Sequence, residues 1–206
     1  MSSSHLLNEL IQALRCLPGV GQKSAQRMAL SLLESDRQQA KQLAHSLLQA
    51  VDNIKYCASC RNFSDHTFCD LCQNTKRDPQ ILCIVETPAD VLAIEQTAAY
   101  KGLYFILLGR LSPLDGIGPE DLGLNHLLDR CKKDDIKEVI LATNFTTEGE
   151  ATAHYIHQLL ASTSIKISRI AYGVPVGSEL EYVDGNTLAR ALNTRSLILK
   201  NHEDIH

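Results

Sequence analysis

The sequence predicts a multi-module α/β protein, and three observations predict it. Residues 5–53 repeat apolar side chains at helical spacing around one Pro-Gly break. Four cysteines crowd into sixteen residues, and from residue 81 onward short apolar strands alternate with helices. A chain of 206 residues has room for one medium domain plus small modules. Its composition, 44% hydrophobic and 21% charged, is ordinary for a globular protein. No apolar run reaches the roughly 18 residues that a membrane helix needs. The N-terminus, MSSSHLLNELIQAL, has no Lys or Arg before its apolar stretch, so no signal peptide is expected and a cytosolic protein is.

Residues 1–53 read as a small helical domain. Leu6, Leu7, Leu10, Ile11 and Leu14 mark a first helix, and Leu17-Pro18-Gly19-Val20-Gly21 breaks it. Ala25, Met28, Ala29, Leu32 and Leu33 mark a second. Asp36 with Gln39 reads as a capping box opening a third helix, which carries Ala40, Leu43, Ala44, Leu47, Leu48 and Val51 on one face. In the hairpin, Gly19 and Gly21 permit backbone conformations closed to other residues and let the chain come close to a ligand. The next helix begins with unpaired N–H groups and the positive end of its dipole, which suits a phosphate. Lys23 and Arg27, four residues apart, share a face beside that terminus. Such a unit reads the sugar-phosphate backbone and is indifferent to base sequence. Taken alone, the same turn also reads as a glycine-capped link with two solvated cations.

Residues 54–78 hold Cys57-x2-Cys60-x8-Cys69-x2-Cys72. Each Cys-x-x-Cys folds as a knuckle that aims two thiolates at one point, and four sulfurs suit tetrahedral zinc. A full ligand set leaves no open position, so one structural Zn²⁺ per chain is expected, and in a short loop the metal supplies the local folding energy. The same ligands also suit an iron–sulfur cluster or two redox dithiols. His66 lies in the loop but is redundant beside four sulfurs. Cys16, Cys83 and Cys131 fall on apolar patterns and read as buried thiols.

Residues 79–175 read as a parallel, covered sheet. The expected strands are Ile81–Glu86, Leu103–Leu108, Glu138–Ala142 and Lys166–Ala171, and the expected helices Asp90–Thr97, Asn125–Lys133 and Gly149–Leu160. Residues 176–206 hold a helix near Thr187–Leu192, an apolar run Ser196–Leu199 and a polar tail, Asn201–His206. Tyr100, Tyr104 and Tyr172 are conceivable nucleophiles, but nothing in the sequence selects one, and packing is the expectation.

Charge divides the chain. Residues 1–80 hold nine Lys/Arg against seven Asp/Glu, and residues 81–206 hold eleven against seventeen. A polyanion should therefore meet the N-terminal part, while the acidic remainder faces protein or solvent.

These segments resemble known families. Leu17–Ala25 resembles the helix-hairpin-helix DNA-binding motif, which assigns DNA contact to Gly19, Gly21, Lys23 and Arg27. Residues 79–175 resemble a Toprim domain. Active Toprim enzymes join a first-strand glutamate, here Glu86, to an Asp-x-Asp after the third strand. Here Asn144 and Thr146 stand at those positions, within Thr143–Glu150. Losing two carboxylates weakens a Mg²⁺ centre, so Mg²⁺ and catalysis are not expected, although Glu148 and Glu150 can compensate in part. Glu86, Glu148 and Glu150 then read as helix-capping acids or as an acidic surface for a partner protein, the latter preferred. Gly173–Gly177 with Leu180–Asp184 resembles a Walker-B-like assembly segment, and no Gly-x-x-x-x-Gly-Lys loop accompanies it.

The order of modules resembles the bacterial RecR family along nearly the whole chain. Leu17–Lys23, the cysteine quartet, Glu86–Asp90, Leu111–Pro119 and Asn144–Thr152 carry that resemblance. It implies a non-catalytic, ring-forming scaffold, dimer to tetramer, that binds single-stranded, double-stranded or gapped DNA. It also implies action with RecO and RecF to help RecA replace single-strand-binding protein, in a cytoplasmic, nucleoid-associated setting. The alternatives are a metal-dependent Toprim nuclease or primase-like nucleotidyl transferase, and a zinc adaptor that never touches DNA.

Overall fold

The structure, a computed structural model, describes residues 4–34, 37–171 and 173–195. The chain divides into two compact units, Met1–Lys55 with Ser64–His66, and Tyr56–Phe63 with Thr67–His206.

The first unit is built from α1 (His5–Leu14), α2 (Gln22–Glu34) and α3 (Arg37–Asn53). Ile11 of α1 packs on Ala25 and Ala29 of α2, with Leu7, Leu10, Leu14 and Val20 around them. The two alanines let the helices approach closely, so a short hairpin can join them. That hairpin closes with Val20 N–H donating to the Leu17 carbonyl at 3.1 Å, and Gly19 takes the left-handed φ of +78°. α3 buries no residue. Its Leu43, Leu47, Leu48 and Val51 all face solvent. Cys16, expected to be buried, is exposed because α1 stops at Leu14 and leaves it in the turn. Asp36 of the expected capping box lies outside the described residues.

The cysteine segment contains a two-stranded ribbon, β1 (Lys55–Tyr56) with β2 (Phe63–Ser64), and one helical turn, α4 (Asp70–Gln73). Then follow β3 (Asp78–Val85), α5 (Pro88–Gln96), β4 (Gly102–Ile106), α6 (Leu124–Lys133), β5 (Glu138–Leu141), α7 (Thr147–Leu160), β6 (Lys166–Arg169) and α8 (Gly185–Asn193). The last four strands form one parallel sheet in the order β4-β3-β5-β6. Alternation along β3 sends Leu82 and Ile84 to one face and Cys83 and Val85 to the other. The first face is covered by Leu124, Leu127 and Cys131 of α6 and by Ala153, Ile156 and Leu160 of α7. The second is covered by Val91 of α5 and by Cys57, Cys60 and Cys69, so the cysteine element forms part of the core. Each fully buried Leu or Ile contributes roughly 1.5–3 kcal/mol. A buried parallel strand needs apolar residues on both faces, which is why β3 reads as a continuous apolar run.

Tyr100 and Tyr104 belong to this packing. Tyr100 Oη donates to the Leu103 carbonyl at 2.7 Å, and Tyr104 Oη donates to Glu95 at 2.6 Å. Burial pushes both phenols well above their ordinary range. Tyr172, Ser196–Leu199 and Asn201–His206 lie outside the described residues. Among those described, no helix is long and apolar enough to cross a membrane.

Candidate metal centre and nucleic-acid interface

The two cysteine knuckles converge. The sulfurs of Cys57, Cys60, Cys69 and Cys72 all lie within 4.8 Å of one another, with Cys60 and Cys69 Sγ 3.4 Å apart. A tetrahedron with Zn–S bonds of about 2.3 Å has edges of about 3.8 Å, so the donor set fits such an ion. Backbone amides already point at the sulfurs, Asn62 N–H to Cys60 at 3.4 Å and Cys69 N–H to Cys57 at 3.3 Å. Hydrogen bonding from Cys60 pulls the Cys72 thiol down to about 5, and the same bond together with burial pushes Cys60 up. The quartet therefore favours one thiolate and crowds the remaining protons, which a cation would displace. His66 is not part of this group; it pairs with Asp65 at 3.8 Å.

The cluster is fastened to the sheet. Ile106 N–H donates to the Cys60 carbonyl at 2.9 Å. Arg61 donates to the carbonyls of Leu107, at 3.2 Å, and Leu122. Arg130, only 9% exposed, donates to the carbonyls of Ser59, at 3.1 Å, and Tyr104, at 2.8 Å. Sequence reasoning missed both arginines as fasteners. The available signal was a cation on the apolar face of α6, beside Leu127 and Cys131.

In the helical unit, Lys23 and Arg27 are exposed and make no ion pair or hydrogen bond among the described residues. A side-chain atom added at Gly19 or Gly21 would meet nothing within 4 Å, so the hairpin backbone faces open space. The first amides of α2, from Gln22, have no helical carbonyl behind them.

At the end of β3, Glu86 is only 2% exposed. Its two oxygens accept hydrogen bonds from the Asn144 backbone N–H and from Asn144 Nδ2, both at 2.7 Å, and Arg110 stands 3.9 Å away. Glu86 thus offers no carboxylate to a surface partner, which corrects its place in the expected acidic surface: the Asn144 carboxamide holds it inward. Glu148 and Glu150 stay half-buried in the first turn of α7, where negative charge suits the helix dipole. Glu150 accepts from Arg169 at 2.9 Å and lies 3.7 Å from Arg190. Thr146 caps α7 by accepting from Gly149 N–H at 3.2 Å. Any side chain at Gly149 would sit 2.1 Å from the Asn144 carbonyl and 2.9 Å from Glu86, so this close approach requires glycine.

Three stretches match known families: residues 7–51 the RecR helix-hairpin-helix, 80–171 the Toprim domain, and 173–196 the RecR C-terminal segment. The chain is 55% identical over 195 residues to the recombination protein RecR of Saccharophagus degradans, covering 95% of this chain and 99% of that one.

Proposed function

This chain belongs to the RecR family of recombination proteins, and from that premise we propose that it is a DNA-binding recombination mediator without catalysis of its own. It acts in recombinational repair with RecO and RecF, helping RecA onto gapped single-stranded DNA. Four modules divide the work: 1–53 grips DNA, 54–78 holds one structural Zn²⁺, 79–175 meets partners, and 176–206 serves assembly. The single observation that carries DNA contact is the pair Lys23 and Arg27, exposed and uncompensated beside the glycine hairpin and the N-terminus of α2. Backbone amides and two cations at a helix start suit phosphate oxygens.

The absence of chemistry is supported by Glu86. A Toprim enzyme needs that carboxylate for a cation, whereas here Asn144 occupies both oxygens. Glu148 is the surface acid left for a partner such as RecO, with Glu150 shared between two arginines. Ring assembly is supported by the apolar face of α3, whose Leu43, Leu47, Leu48 and Val51 meet no core. Several copies of Lys23 and Arg27 facing one hole would add their attraction, although each chain carries a net charge of −4.

Fluorescence anisotropy with labelled DNA tests the reading, alongside light scattering for mass. Replacing Lys23 and Arg27 by Ala should abolish DNA binding while mass stays unchanged. Undiminished binding by that variant would remove the hairpin from the interface. Turnover of a nucleic acid with Mg²⁺ or Mn²⁺ that disappears in Glu86→Gln would favour the enzyme instead.

A further inference from the structure

The exposed rings of the cysteine ribbon have no part in metal binding or in the core. Tyr56 and Phe63 face each other across the ribbon, centroids 5.4 Å apart and planes within 19°. They are 54% and 56% exposed, whereas Tyr104 and Phe105 of the sheet are buried. A cross-strand aromatic pair steadies a ribbon through its inner faces. The outer faces gain nothing from that contact and remain in water. The ribbon is closed by Cys57 N–H donating to the Asn62 carbonyl at 2.7 Å and by the four-sulfur cluster, so the rings are held in place before any ligand arrives.

Charge narrows what could cover them. Residues 54–78 hold four Lys/Arg against three Asp, while residues 81–206 hold eleven against seventeen. Outside the helical unit, this is the stretch that does not repel a polyanion. A flat, exposed aromatic pair in this stretch fits the base of a nucleotide, which brings a π-face and a phosphate together. In a duplex those faces are already stacked and hidden, so only an unpaired base has one to offer.

We propose that the Tyr56–Phe63 stack is a base-stacking platform for single-stranded nucleic acid, with an unpaired base extending the pair as a third layer. The proposal rests on the DNA-binding reading and adds to it a second contact, which distinguishes single from double strands. The hairpin cations grip backbone of either kind; the ribbon engages a base.

Anisotropy with oligo(dT) and with a duplex of equal length tests this on the full-length, metal-loaded protein. Tyr56→Ala combined with Phe63→Ala should weaken oligo(dT) binding about tenfold or more and leave duplex binding within about twofold. Tyr56→Phe combined with Phe63→Tyr, which keeps both rings, should bind as the parent does. Equal loss on both DNAs, or no loss on oligo(dT), overturns the platform. If the parent binds duplex but not oligo(dT), the platform falls and the hairpin reading stands; if it binds neither, both fall. Should the alanine variant lose its metal, 5-iodouracil cross-linking of the unaltered protein decides: adducts on Tyr56 or Phe63 support the platform, and adducts found only elsewhere overturn it.

Discussion

Asn144 decides more than any other single residue. It supplies both donors to a carboxylate that is almost fully buried, and so takes the place a cation would need. Asn144→Asp would set two carboxylates against each other at hydrogen-bond distance. We expect it to cost about 2–4 kcal/mol of stability at neutral pH, since a buried acceptor loses its donor and gains a like charge. Added Mn²⁺ should recover part of that loss. Thermal melts at neutral pH, with and without the ion, check this; a variant as stable as the parent would contradict it. The sequence shows the missing aspartates, because they are a local pattern. It does not show the burial of Glu86, because its partner lies 58 residues further on and arrives through the pairing of β3 with β5.

At the scale of elements, the cysteine quartet is legible from spacing alone, since two knuckles of fixed length can only converge. Its fastening is not legible, because it runs through backbone carbonyls that carry no sequence signature. Cys57, Cys60 and Cys69 cover one face of the sheet, and Ile106 N–H is held by the Cys60 carbonyl. Metal removal should therefore loosen β4 as well as the ribbon. A chelator, or Cys60→Ser, should lower the stability of the α/β unit by more than about 3 kcal/mol. Hydrogen exchange at the Ile106 amide should rise together with that of the ribbon. Retained protection at Ile106 after the metal is lost would mean that the element is an independent module. The helices were readable from their period, and the sheet because strands covered on both faces need continuous apolar runs, as along β3. The one-turn α4 and the ribbon escaped it, being too short to show a period.

For the whole molecule, the sequence gives module order and uneven charge, but the open face of α3 emerges only once the helices are in place. Periodicity marks Leu43, Leu47 and Val51 as an apolar face without saying what covers it. If a second copy does, Leu47→Asp should reduce the mass measured by light scattering toward 22.8 kDa. DNA affinity should fall with it, since gripping sites no longer act together. A variant that keeps its assembled mass would place the oligomer contact elsewhere.

The carboxamide that closes the strand-end centre has a hereditary side. Asparagine and aspartate codons differ by a single base, so replication errors must keep offering this scaffold its charged counterpart. The folding cost of that exchange would then act as a filter, removing such copies before any reactive centre could be assembled around them.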